Sequence, residues 1–144
     1  MSLMTAMEIG ASGLTAQRRR LEVLVSNLVN ANTTAPAGTE PYRRKDVVFT
    51  ATPPQQSFGG TLDQAMGAVQ GVAVSEIVED KSEPIRRYEP GHPYADKDGY
   101  VTYPNINPME EMVNMLSATR SYEANLQAVN TTKDMALKTL DIIR

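Results

Sequence analysis

Residues capable of chemistry are few and scattered along this chain of 144 residues. Asp96-Lys97-Asp98-Gly99 has the look of a calcium-loop fragment. Setting Gly99 at the sixth loop position puts Tyr94 at the first and Asn105 at the twelfth, where Asp and Glu are needed. The match fails, and Asp98-Gly99 reads instead as a turn leading into Tyr100. His92 is the single histidine, held among Pro90, Gly91 and Pro93. That setting is a surface turn, and a catalytic reading would need His92 to work with an acid such as Asp96. Cysteine is absent, which removes disulfides, thiolate metal sites and a cysteine nucleophile. No metal or cofactor is expected, and no enzyme activity.

Two further clusters have polar roles short of catalysis. Arg18-Arg19-Arg20 lies four residues before Glu22 at its first member, so Arg18 and Glu22 suit an i, i+4 pair on a solvated face. No aromatic platform lies nearby to make these arginines a nucleic-acid contact. Asn27, Asn30 and Asn32 suit helix termination and hydrogen bonding to a neighbouring chain, because Asn bonds local backbone and tolerates left-handed conformations.

Composition narrows the setting. The formal net charge is −3, and no run of like charge exceeds three residues, so there is no footprint for nucleic acid. The opening MSLMTAMEIGASGL lacks a basic stretch followed by an apolar core, and a standard cleaved signal is not expected. No segment approaches the ~18 apolar residues of a membrane span. Aromatic residues make up 6% and Trp is absent, which favours shallow, distributed packing over one thick core.

The elements that must position these residues are set out by proline. All 9 prolines fall between Pro36 and Pro108. Proline breaks helix interiors, so the two proline-free flanks are expected to be helices around an irregular β centre. The expected fold is therefore α+β, with the helices packed as a coiled-coil-like pair. The divisions are 1–35, 36–107 and 108–144, with 53–71 as a mobile loop rich in Gln, Gly and Pro.

In the first flank, steps of four and three link Leu3, Met7, Gly10, Leu14, Gln17, Leu21, Leu24, Leu28 and Ala31. Thr5 with Glu8 fits a capping box, and Gly10 and Gly13 permit close helix approach. In the last flank, Asn107 suits an N-cap and Pro108 the first helical position. Met112, Leu116, Tyr122, Leu126, Val129, Leu137 and Leu140 continue an apolar seam. Between them, Tyr42–Thr52, Val72–Val78, Ile85–Tyr88 and Tyr100–Tyr103 read as strands, the second with one irregularity near Glu76 and Ile77. Polar seam positions at Gln17, Thr119 and Lys133 make a lone pair of helices marginal. The seams, at Leu14, Leu21, Leu24, Leu28 and the α-helical positions just named in the last flank, are thus expected to meet other subunits.

A family resemblance is carried by three separated motifs in order. Ser26-Asn27-Leu28-Val29-Asn30-Ala31-Asn32-Thr33 resembles the close of the N-terminal helix in flagellar rod and hook axial proteins. Met112-Val113, with Arg120-Ser121-Tyr122-Glu123-Ala124-Asn125, resembles their C-terminal helix. Tyr42 within Pro41–Lys45, the run from Tyr88 through Pro90 and Gly91 to Pro93, Gly99-Tyr100, and Pro104-Asn105 resemble the short proximal rod type. The longer stretch between Thr33 and Tyr42 departs from the hook and distal-rod pattern and fits that short type.

The resemblance implies a structural subunit of the axial shaft that carries torque across the periplasm to the hook. It also implies export through the flagellar type III apparatus, and other rod proteins and copies of itself as partners. A soluble coiled-coil adaptor or chaperone of the export system is the alternative.

Overall fold

The computed structural model describes residues 3–36, 38–52 and 70–143. Helix α1 spans Leu3–Asn30. It is already under way two residues before Thr5, which therefore lies within the helix and does not cap it. The C-terminal end is closed locally: Asn30 Nδ2 donates to Ser26 O at 2.8 Å, and the Thr33 amide donates to Asn30 O at 3.1 Å. Helix α2 spans Pro108–Ile143. Asn107 caps it through Oδ1, which accepts the Met109 amide at 3.1 Å, while Asn107 O accepts the Glu111 amide. Along α2, Thr119, Ser121, Thr131, Thr132 and Thr139 each turn a hydroxyl back to the carbonyl four residues earlier. Such back-bonding satisfies these polar groups inside a continuous helix.

Two antiparallel ribbons lie between the helices in sequence. Strand β1 (Lys45–Thr52) pairs with β2 (Gly71–Glu79), and the register shifts at Val48/Phe49. Val48 faces Glu76 while Phe49 faces Val74, so Ser75 is the extra residue, and its Oγ donates to Val48 O at 3.2 Å. The bulge is the irregularity legible in the sequence, and its effect is on side-chain parity. It brings Ile77, opposite Val47, onto the same face as Val74, opposite Phe49. Glu76 is turned to the other face. The expected loop at 53–71 lies outside the described residues over 53–69, and Gly71 already belongs to β2.

Strand β3 (Ile85–Tyr88) pairs with β4 (Tyr100–Tyr103), at the bounds the sequence implies. The connection closes with Glu89 N donating to Gly99 O at 2.9 Å and Gly99 at a φ of 81°. A side chain on Gly99 would also meet the Tyr88 ring at 2.9 Å, so glycine is required here on two counts.

Helix α1 is the middle layer, touching the β1–β2 ribbon on one side and α2 on another. A side chain on Gly10 would fall 2.5 Å from Val129 Cγ2, and one on Gly13 would fall 2.9 Å from Asn125 Nδ2. Further along α1, Asn27 reaches Glu111. Advancing along α1 thus means retreating along α2, and the pair is antiparallel. The core is thin: Ala16, Val23 and Leu24 of α1 with Ala31 just after it, Val101 of β4, Ile106 just before α2, and Ala118 of α2.

Candidate assembly surface

The site begins with the groups that fix the helix pair. Asn27 is fully buried. Its Nδ2 donates to Lys45 O at 2.8 Å and to Glu111 Oε2 at 3.0 Å. Its Oδ1 accepts from Tyr42 Oη and from the Lys45 amide, both at 3.0 Å. An amide side chain has two donors and an acceptor with two lone pairs, so every position is used. Glu111, 1% exposed, takes a second bond from Arg44 Nε at 2.7 Å. The Glu111 bond pushes the Arg44 guanidinium pKa up against the smaller opposing effect of its burial. Ser26 Oγ lies 3.1 Å from Tyr42 Oη and extends the network.

This clasp corrects the expectation for Asn27. It sits inside α1, not at its end, and its partners all belong to the same chain. Asn30 and Thr33 do close the helix, as expected. In the sequence Arg44 stands only within the Pro41–Lys45 motif and Glu111 only as an acidic residue, with Glu110, complementing the start of the last helix; their pairing is not legible there. They stand 67 residues apart, and no local pattern links an arginine entering a strand to a glutamate in the first turn of a distant helix.

The helix seam also divides in a way heptad spacing did not separate. Gly10, Gln17, Leu24 and Ala31 form the row toward α2, and Leu24 is 3% exposed. Leu14, Leu21 and Leu28 lie on the neighbouring flank and are only half-buried. Ser12, Ala16 and Val23 form a further row toward the ribbon, with the Val72 amide bonded to Ser12 Oγ at 3.1 Å. On α2 the row toward α1 is Glu111, Ala118 and Asn125, polar or small, joined from the apolar seam by Val129 against Gly10.

Most of the other apolar positions of α2 therefore remain uncovered. Met112, Leu126, Leu137 and Leu140 are exposed, with Tyr122 and Val129 half-buried beside them. At about 100° per residue, their flank lies on the same side of the pair as Leu14, Leu21 and Leu28. That side faces away from the β1–β2 ribbon. Leu116 is also exposed but turned further round α2. The result is one apolar face running over both helices.

The remaining motif residues lie elsewhere. Pro90, Gly91, Gly99 and Tyr100 shape the β3–β4 turn, with Tyr100 edge-on to Tyr88 at 5.4 Å. Asp96 accepts the Asp98 and Tyr100 amides at 2.9 Å each and pairs with Arg86. The Tyr100 amide bond chiefly, with Asp98 and Arg86 adding to it, holds the Asp96 carboxyl below the usual range. Its oxygens are thereby committed to the turn. His92 Nδ1 accepts the Tyr94 amide at 3.1 Å in the same turn. Pro104 is buried and Asn105 exposed just before α2. Arg120 is exposed on the outer side of α2, whereas Asn125 packs on Gly13. Arg18 and Arg19 both pair with Glu22, at 3.3 and 2.8 Å. Among the described residues there is no group of three metal-binding side chains, and no helix is long and apolar enough to cross a membrane.

The two ends that build this surface are the ones that match known families. Residues 7–36 match the flagella basal body rod protein family, and residues 97–142 match the C-terminal region of flagellar basal-body rod FlgEFG proteins. A helix pair of this kind, with both ends so matched, is that of a flagellar axial protein.

Full-length similarity narrows the class. The chain is 43% identical over 143 residues to the flagellar basal-body rod protein FlgC of Salmonella typhimurium, covering 99% of this chain and 98% of the relative. It is 43% identical over 150 residues to the FlgC of Bacillus subtilis, with 99% of each covered. Against the FlgC of Borreliella burgdorferi it is 39% identical over 153 residues, covering 100% and 99%. The chain belongs to the FlgC family of structural rod proteins of the flagellar basal body.

Proposed function

We propose that this chain is a proximal-rod subunit whose apolar helix face is covered by other rod proteins and by copies of itself. The observation that carries the reading is one apolar face on which Met112, Leu126, Leu137 and Leu140 are exposed and Leu14, Leu21, Leu28 and Tyr122 half-buried, with Val129 at its inner edge against Gly10. Leu116 extends it, and Leu24 lies beneath it as support. Isolated apolar side chains at a surface are ordinary, but a row this long along two paired helices marks an interaction site. Torque passes through rigid packing, and the function involves no chemical step. The chain reaches the rod, across the periplasm, through the flagellar type III export apparatus.

Leu126→Asp puts a charge on the face without touching the thin core. The expected result is a folded, exported chain, with rods missing from isolated basal bodies and cells that do not swim. Normal rods and motility in that variant would remove the reading. An export adaptor predicts a different outcome: the wild-type chain alone would show both helices melting together at full helicity by circular dichroism.

A further inference from the structure

Two exposed rows on opposite flanks of the helix pair have matching patterns. On α1, Arg18, Glu22, Val25 and Val29 follow steps of four, three and four and are all exposed on the side turned from α2, with Arg18 and Glu22 bordering the groove between α1 and β2. Val29 is 72% exposed. On α2, Met109, Val113, Leu116, Arg120 and Glu123 lie half a turn round from the inward row of Glu111, Ala118 and Asn125. Val113 is 64% exposed. The Asn27–Glu111 bond sets both rows at one level, so neither can reach the other within a single chain.

We propose that these rows join successive copies of this chain, the α1 flank of one against the α2 flank of the next. The contact rests on the assembly reading above and specifies it. A neighbour shifted by about one helical turn, ~5.4 Å, lays Val29 on Val113 and Val25 on Leu116. The same shift lays Glu22 on Arg120 and Arg18 on Glu123, so apolar and charged positions match together. Unshifted, Arg18 would meet Arg120. Arg18 and Glu22 give up an exposed mutual pair, and Glu22 its exposed pair with Arg19, each of which contributes little.

Different surfaces on the two partners make the contact heterologous, and such contacts propagate into rings or helices. The two flanks are not diametrically opposed: the angle between them is narrower on the side of the apolar face. Copies joined this way curve with their ribbons outward, and the one-turn offset turns the curve into a helix.

The absence of cysteine makes the test clean. Basal bodies are isolated from cells carrying V29C/V113C in place of the natural chain, oxidised, and run on a non-reducing gel. A ladder of dimers and larger multimers is expected from the double variant, and monomers only from either single variant. Dimers from V29C alone would show like surfaces meeting and overturn the proposal. Monomers from the double variant in assembled basal bodies would overturn it as well.

A charge exchange decides the matter if the cysteine chains fail to assemble. E22R and R120E should each cut motility severalfold, and E22R/R120E should restore it. Absence of rescue sinks this contact. Loss of rods in Leu126→Asp alongside no Val29–Val113 link would leave the assembly reading standing and remove only the inference.

Discussion

Asn27, Glu111 and Arg44 hold together three segments that are far apart in the chain, and each depends on the other two. Glu111 is almost fully buried, and its two oxygens are divided between Asn27 and Arg44. Removing one partner of a buried ionic group costs about 3–5 kcal/mol, because the remaining charge is stranded. Arg44→Ala should therefore lower stability by about 3 kcal/mol, read from the shift of the urea midpoint, and Arg44→Leu should do no better.

Asp96 is a milder case with a defined sign. Its carboxyl is held below the usual range by the Tyr100 amide first, then by Asp98 and Arg86, so the carboxylate form is favoured by the fold. A lowered folded-state value gives stabilisation that is present above the unfolded value of about 3.9 and lost as pH falls through the folded one. Protection of the Tyr100 and Asp98 amides from hydrogen exchange, taken relative to their intrinsic rates at each pH, should be high at neutral pH and fall in acid below about pH 3.9. Asp96→Asn should flatten that dependence.

At the scale of elements, the helix pair trades intrinsic helix preference for closeness. Alanine exceeds glycine in a helix by about 1 kcal/mol, so Gly10 and Gly13 look costly in isolation. Yet a methyl on Gly10 would fall 2.5 Å from Val129 Cγ2, and overpacking of that kind costs about 1–3 kcal/mol. Gly10→Ala should thus destabilise the chain by about 1 kcal/mol net in thermal or urea unfolding. Adding Val129→Ala opens the space, and the double variant should recover most of the loss.

The ribbon shows the same rule in another form. One inserted residue, Ser75, brings Ile77 and Val74 onto a common face, opposite Val47 and Phe49. Alternation in the sequence could mark the irregularity but could not choose between Glu76 and Ile77, because the choice follows from pairing with β1.

Over the whole molecule, order is expected to grade outward from the clasp. The buried side chains concentrate where α1 nears its end and α2 begins, around Val23, Leu24, Asn27, Ala31, Ile106, Glu111 and Ala118. Leu3 and Met4 at one extremity, and Met135, Leu137 and Leu140 at the other, stay exposed. Local opening is easiest where few apolar contacts hold the backbone. Hydrogen exchange on the isolated chain should protect 23–31 and 106–118 and leave 3–9 and 133–143 fast. In isolated basal bodies the same two extremities should become protected. Equal protection in both states would mean that assembly covers nothing the lone chain leaves open.

The sequence alone settled the order of elements, because proline excludes helix interiors and confines the β region to the middle. It also settled the turn at Asp98-Gly99, the cap at Asn107 and the families matched by the two ends, all of which depend on residues adjacent in the chain. Which apolar row is covered and which is left open was decided only in three dimensions. Heptad spacing puts Leu24 and Leu21 in one stripe, but α1 has two partners inside its own chain, and their placement buries Leu24 and leaves Leu21 at the edge. The polar clasp was likewise decided by the fold, since Arg44 and Glu111 acquire their meaning only when distant backbone brings them within 2.7 Å.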